Sequence, residues 1–171
     1  METLTLRYEL EPEEAAIAAV DHSPAVRASA KRTRALGAAG IILGLLMLTE
    51  AAIAFALLAV GALIFGLGTR FSILRRSRAV YELTPFFSDP VTAVADEHGV
   101  RFTSADGDLW YRWSSYDAAH NAADGIALVM RGGCAVRWIP SRAFAGADQQ
   151  AAWFIQAREG ILQARQPVAP S

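Results

Sequence analysis

The 171-residue chain is 53% hydrophobic and 19% charged, with a mean hydropathy of +0.25, more apolar than an ordinary soluble domain. Its net charge of −1 excludes the broad basic field of a nucleic-acid binder. One cysteine, Cys134, excludes an internal disulfide or a cysteine-rich metal site, and the N-terminus lacks the basic-then-apolar order of a signal peptide.

Leu4, Leu6, Tyr8 and Leu10 alternate with Thr5, Arg7 and Glu9, the two-residue period of a half-buried strand over 3–10. Pro12 suits the first turn of a helix, and Glu13 and Glu14 suit its positive end, so a short helix is expected to about Val20. A basic stretch, RASAKRTR (27–34), leads into an apolar run from Ala35 to Gly68, broken by Thr49 and Glu50; TRFSILRRSR (69–78) is basic again. As one helix the run would be about 50 Å long against a hydrocarbon core of about 30 Å, and it would set basic clusters on both sides of a membrane. Folded at Thr49–Glu50 it gives two transmembrane arms, over about 35–48 and 51–68. Arg27, Lys31, Arg32 and Arg34 then share the cytoplasmic side with Arg70, Arg75, Arg76 and Arg78. Glu50 becomes the hairpin tip, hydrated in the opposite interface. Its functional alternative, an ion or proton site, needs a polar partner in the membrane, and no other ionisable residue lies between 35 and 69. Gly37 with GIILG (40–44), and Ala52, Ala56, Ala59 and Gly66, offer small-residue seams for helix packing within one chain or between two copies.

From about Tyr81 the pattern changes to short strands. VTAVA (91–95), VRFTS (100–104), LWYRW (109–113), IALVMR (126–131) and CAVRWI (134–139) read as an antiparallel meander. Its turns fall at Glu97-His98-Gly99, Asp106-Gly107 and Gly132-Gly133. Leu109, Tyr111 and Trp113 share a face, and Pro140 is expected to stop the last ladder. YDAAHNAADG (116–125) reads as a loop. Its His120, near Asp117, Asn121 and Asp124, has no recognised metal-ligand spacing. A helix is expected over 147–164, with Ala147, Ala151, Phe154, Ala157, Ile161 and Ala164 on one face and Asp148 near its positive end; 166–171 is a frayed tail. An isolated strand at 4–10 could not bury its apolar face. It is therefore expected to join the meander, so that residues 1–26 and 79–165 form one cytoplasmic domain and 27–78, the hairpin with its basic flanks, is an insertion.

This order of elements, with YRWSSYD (111–117) and WIPSRAFAGADQQAAWFIQ (138–156), resembles the YcxB-like family of bacterial membrane proteins over nearly the whole chain. The most specific matches are Trp113, Ile139, Pro140, Arg142, Ala143 and Phe144; Ser141 stands where the family often has a second basic residue. The resemblance implies a pleckstrin-homology-like (PH-like) cytoplasmic fold in the bacterial inner membrane, both termini cytoplasmic, and no established activity. The expected class is thus an α+β membrane protein: a two-helix transmembrane hairpin inserted in a PH-like antiparallel β-meander or barrel capped by a C-terminal helix.

Trp113, Pro140, Arg142 and Phe144 are candidate interaction residues. Each also has a plainer role: Trp113 and Phe144 as core, Pro140 as a strand exit, Arg142 meeting a carboxylate or carbonyls. Arg70, Arg75, Arg76 and Arg78 are candidate lipid-headgroup contacts, or they serve only to set topology. No P-loop, Rossmann glycine motif, HExxH, nucleophile elbow or CxxC occurs. The reading is a non-enzymatic adaptor or regulator, without metal or cofactor, whose partners are the lipid bilayer, a protein, or a second copy of the chain, and not nucleic acid. The alternative is a small oligomeric transport or channel component that uses the hairpin and Glu50.

Overall fold

The computed structural model describes residues 4–46, 51–84, 89–133 and 135–166. The N-terminal alternation forms strand β1 (Leu4–Tyr8), with Leu6 and Tyr8 buried and Thr5 and Arg7 exposed. It pairs antiparallel with β2 (Val91–Ala95), Tyr8 opposite Val91, so the chain between them leaves and re-enters at one end of the sheet. With β3 (Gly99–Ser104) and β4 (Gly107–Arg112) they make a four-stranded sheet in the order β1-β2-β3-β4. The expected single meander is broken by a 3-10 turn at Trp113–Ser115. Beyond it β5 (Tyr116–Ala122), β6 (Gly125–Met130) and β7 (Val136–Pro140) form a second, three-stranded antiparallel sheet.

One local expectation is corrected. Residues 116–122 are a strand and not a loop; their pattern is weak because small alanines carry the inward positions and a bulge between Tyr116 and Ala118 breaks the period. Pro140 ends the last ladder as expected: it stands opposite Gly125 as the last residue of β7. β7 is an edge strand, where a missing N–H is tolerated. Gly125 has φ +156°, and a Cβ there would lie 2.3 Å from the Ile139 carbonyl oxygen, so only glycine fits opposite the proline.

One core joins the inner faces of both sheets, through Val91, Ala93, Val100 and Phe102 on one side and Ile126, Leu128 and Ile139 on the other. Helix α5 (Ala147–Gln163) covers it. Its buried face is Trp153, Gln156, Ala157, Gly160 and Ile161, rotated from the expected line so that Ala151 is exposed. Trp153 sets that rotation because its indole offers more area to bury than the alanines do.

After β1 the chain forms α1 (Pro12–His22), which starts at its proline and packs against β7. Ser23 then caps α2 (Pro24–Leu46), its hydroxyl oxygen accepting from the Val26 N–H at 3.1 Å. The basic stretch 27–34 is thus helical, and α2 is about 34 Å long. α3 (Ala51–Leu67), about 26 Å long, runs back antiparallel along it. A bend of 52° leads into α4 (Arg70–Glu82), capped by Thr69 and packed on α1.

Gly37, Gly40 and Gly44 all lie on the α2–α3 contact, where a Cβ at Gly37 would sit 2.4 Å from the Phe65 nitrogen. The opposing line on α3 is Ala54, Leu58, Gly61 and Phe65, nearly opposite the expected one. Ala56 and Ala59 are exposed, and a Cβ on Gly66 would meet nothing within 4 Å. The observed line includes the large Leu58 and Phe65; the glycine-on-glycine approach of Gly40 and Gly61 selects it, because it lets the backbones come closest. Among the described residues no single helix is long and apolar enough to cross a membrane; Ile53–Leu67 and Phe71–Glu82 meet that test only together, as a bent pair. The first predicted arm is described to Leu46, and both Glu50 and Cys134 lie outside the described residues.

Candidate functional site

Three of the four motif residues are inside the domain. Trp113 is 2% exposed. Its Nε1 donates to the Asp96 carbonyl at 2.9 Å, and its ring meets Trp153 edge-on at 6.4 Å. Phe144 is buried against the same Trp153, and Pro140 is fully buried. They hold the core together and present no surface to a partner. Arg142 is a clasp: its Nη1 donates to both Glu14 carboxylate oxygens, at 2.6 and 2.7 Å, and its Nη2 to the Glu9 carbonyl at 2.7 Å. This charge-assisted fork fastens the turn after β7 to the β1–α1 connection.

Arg75, Arg76 and Arg78 of α4 do not converge. Only the backbone of Arg70, the first residue of α4, is described. Arg75 and Arg78 line a groove of about 280 Å³ between α1 and α4, with Glu13, Ala16, Ile17, Phe71 and Leu74. Arg76 faces the other way, into a groove of about 430 Å³ against α2 that includes Ser29, Thr33 and Ser77. Arg34, on the opposite flank, donates from Nε to the Gly68 carbonyl at 2.7 Å and so caps the end of α3. That contact marks the level at which the two arms leave the rest of the molecule.

Two surface features were not singled out by the motifs. The first is Trp110, 44% exposed on the edge strand β4, with the Arg112 guanidinium 5.5 Å from its ring centre. The alternation that turns Leu109 and Tyr111 inward turns Trp110 outward, and that is its signal in the sequence. The second is a ring stack at the end of α1, where His22 lies 5.4 Å from His120 and 6.2 Å from Trp138. No local spacing joins positions 22, 120 and 138.

Burial, then the neighbouring His22 and Arg27, hold the His120 imidazole below its ordinary value. The unfolded chain therefore takes this proton first as pH falls. Stability is expected to be level above about pH 6.5 and to decline below it, towards the lowered folded value. His120→Asn should flatten the decline in unfolding midpoint between about pH 5 and 7; an unchanged slope would assign the pH dependence to other groups.

Among the described residues no three of His, Cys, Asp or Glu are grouped to hold a metal ion. Compared with protein-family models, curated proteins and solved structures, the chain matches none.

Proposed function

We propose that this is a non-enzymatic protein of the bacterial inner membrane, in which α2 and α3 form an embedded hairpin and the two sheets with α5 form a PH-like module on the cytoplasmic surface. The module acts as an adaptor or regulator for a protein partner. One observation carries the membrane placement: the hairpin is packed inside out. Gly37, Gly44, Ala54 and Gly61 are buried in the helix contact, while Leu36 is 67% exposed, Leu46 76%, Phe55 76% and Leu63 64%. In water such a surface would be an aggregation hazard. In lipid, large apolar residues outside and small ones between helices are the favoured arrangement.

Two antiparallel sheets, of four and three strands, covered by a C-terminal helix are compatible with the PH-like fold that the resemblance to the YcxB-like family implies, and so support that reading. The adaptor role is supported by β4, an edge strand with exposed Trp110 between Arg112 and the cross-strand Arg101. An amphipathic aromatic beside an open strand edge suits strand addition by an extended peptide.

The placement is tested in spheroplasts with Cys134 replaced by serine and one cysteine put back at a time. A membrane-impermeant thiol reagent should label position 50 and spare position 106, in the exposed β3–β4 turn. Labelling at 106 instead would reverse the orientation. A cysteine at 50 that stays unlabelled even after permeabilisation would show that the hairpin does not reach the far side.

A further inference from the structure

We propose that the groove between α1 and α4 binds the headgroup and glycerol region of an anionic phospholipid from the adjoining leaflet. This rests on the membrane placement above and adds to it a defined site and ligand class. Phe71, Leu74, Arg75 and Arg78 fall on one face of α4, at helical spacings of three and four, and α1 supplies the opposite wall with Ala16, Ile17 and Glu13. The floor is apolar and the rim is basic.

Three observations select a lipid. The first is continuity with the hairpin. α4 begins just past Gly68, whose carbonyl Arg34 holds at the base of the two arms. Phe71, four residues past the end of α3, is 74% exposed there and carries apolar surface from the base of the hairpin into the groove. A soluble anion has no use for that surface, whereas a phospholipid presents acyl carbons and a phosphate side by side.

The second is charge. Among the described residues Arg75 has no ion pair. Arg78 engages Glu82 through Nε at 2.7 Å, which leaves its terminal nitrogens to face a second acceptor. Two guanidiniums at a rim fit a phosphate. Glu13, the one carboxylate in the wall, suits a headgroup whose hydroxyls can donate to it, as phosphatidylglycerol's do.

The third is sorting. Residues that served only to set topology would need no common target. Here Arg75 and Arg78 turn to one groove, while Arg76, between them in sequence, turns to another.

The test uses purified full-length protein. Flotation with phosphatidylcholine liposomes comes first: failure to float would sink the membrane placement itself, independently of the groove. Native mass spectrometry from detergent, with equal phosphatidylglycerol and phosphatidylcholine, then reads the site. Wild type should retain one phosphatidylglycerol in preference to phosphatidylcholine. Arg75→Gln with Arg78→Gln should weaken that retention roughly 10- to 30-fold while flotation is unchanged, and Arg76→Gln should behave as wild type. Excess glycerol 1-phosphate should not displace the lipid. Equal retention of both lipids by wild type, undiminished retention by the double variant, an equal loss in Arg76→Gln, or displacement by the soluble phosphate would each overturn the proposal.

Discussion

Trp113→Ala is expected to cost the cytoplasmic domain about 3–5 kcal/mol, a large share of the about 5–15 kcal/mol that holds a typical domain folded. The residue is 2% exposed, and its ring closes the junction between the two sheets beneath α5. Its loss leaves a cavity bounded by Tyr116, Trp153 and the backbone of α5, and it frees the Asp96 carbonyl that its Nε1 had satisfied. The packing is tight from the other side as well. A Cβ on Gly160 would lie 2.5 Å from the Trp113 Cδ1, so Gly160→Ala should cost about 1–3 kcal/mol by overpacking. The double variant should be less destabilised than the two losses added, because the new methyl enters the space the indole vacates. Denaturant titration followed by circular dichroism of the strands reads all three. A cost for Trp113→Ala below about 1 kcal/mol would show that the junction does not depend on this ring, and simple additivity would separate it from Gly160.

The same junction shows what the sequence could and could not disclose. Period-two alternation placed β1, β3 and β4, which have large apolar residues on one face and polar ones on the other, and the Gly132-Gly133 turn between two apolar runs placed β6 and β7. β5 escaped, because its inward positions are alanines and its bulge breaks the period. The division into two sheets was not legible either: the break is a three-residue 3-10 turn made by Trp113, Ser114 and Ser115, and the alternation runs into it without warning. Of the site, the identity of the basic residues on α4 was plain. Their sorting was not, because Arg75, Arg76 and Arg78 separate only once α1 and α2 stand on different sides of α4.

Polar ties across long sequence distances fix the base of the helices to the sheets. Arg142 reaches back to Glu14 and Glu9. The Ser23 hydroxyl, at the α1–α2 corner, donates to the Gly133 carbonyl in the β6–β7 turn. The Tyr81 hydroxyl, near the end of α4, donates to the Val136 carbonyl of β7 at 3.2 Å. Burial raises that phenol above its usual range, so it stays a donor at physiological pH. Each tie joins a different helix end to the second sheet or the turn that follows it. Together they would hold the module in one attitude to the hairpin and so fix which way Trp110 and the β4 edge face.

The hairpin itself stands on a glycine contact, and its disruption is the second large effect expected. A Cβ on Gly61 would lie 2.7 Å from the Ile41 nitrogen and 2.9 Å from both the Gly37 oxygen and the Gly40 carbon. All three are backbone atoms of α2, which cannot step aside unless the helices part. Gly61→Leu should therefore separate the arms, at a cost of about 3 kcal/mol or more given that overpacking without relief reaches that range. Gly66→Leu is the matched control, since a Cβ there would meet nothing within 4 Å. Disulfide trapping between cysteines placed at 44 and 58, which face each other across the contact, reads the arms directly in Cys134→Ser protein. Trapping within one chain should be efficient in the parent and in Gly66→Leu, and lost in Gly61→Leu. If Gly66→Leu were the damaging change, or if trapping linked two chains, the line of Ala56, Ala59 and Gly66 would be the true seam and the contact would lie between copies. Two glycines of the same helix, five residues apart, carry the assignment: one has no room for a side chain, and the other has open space for one.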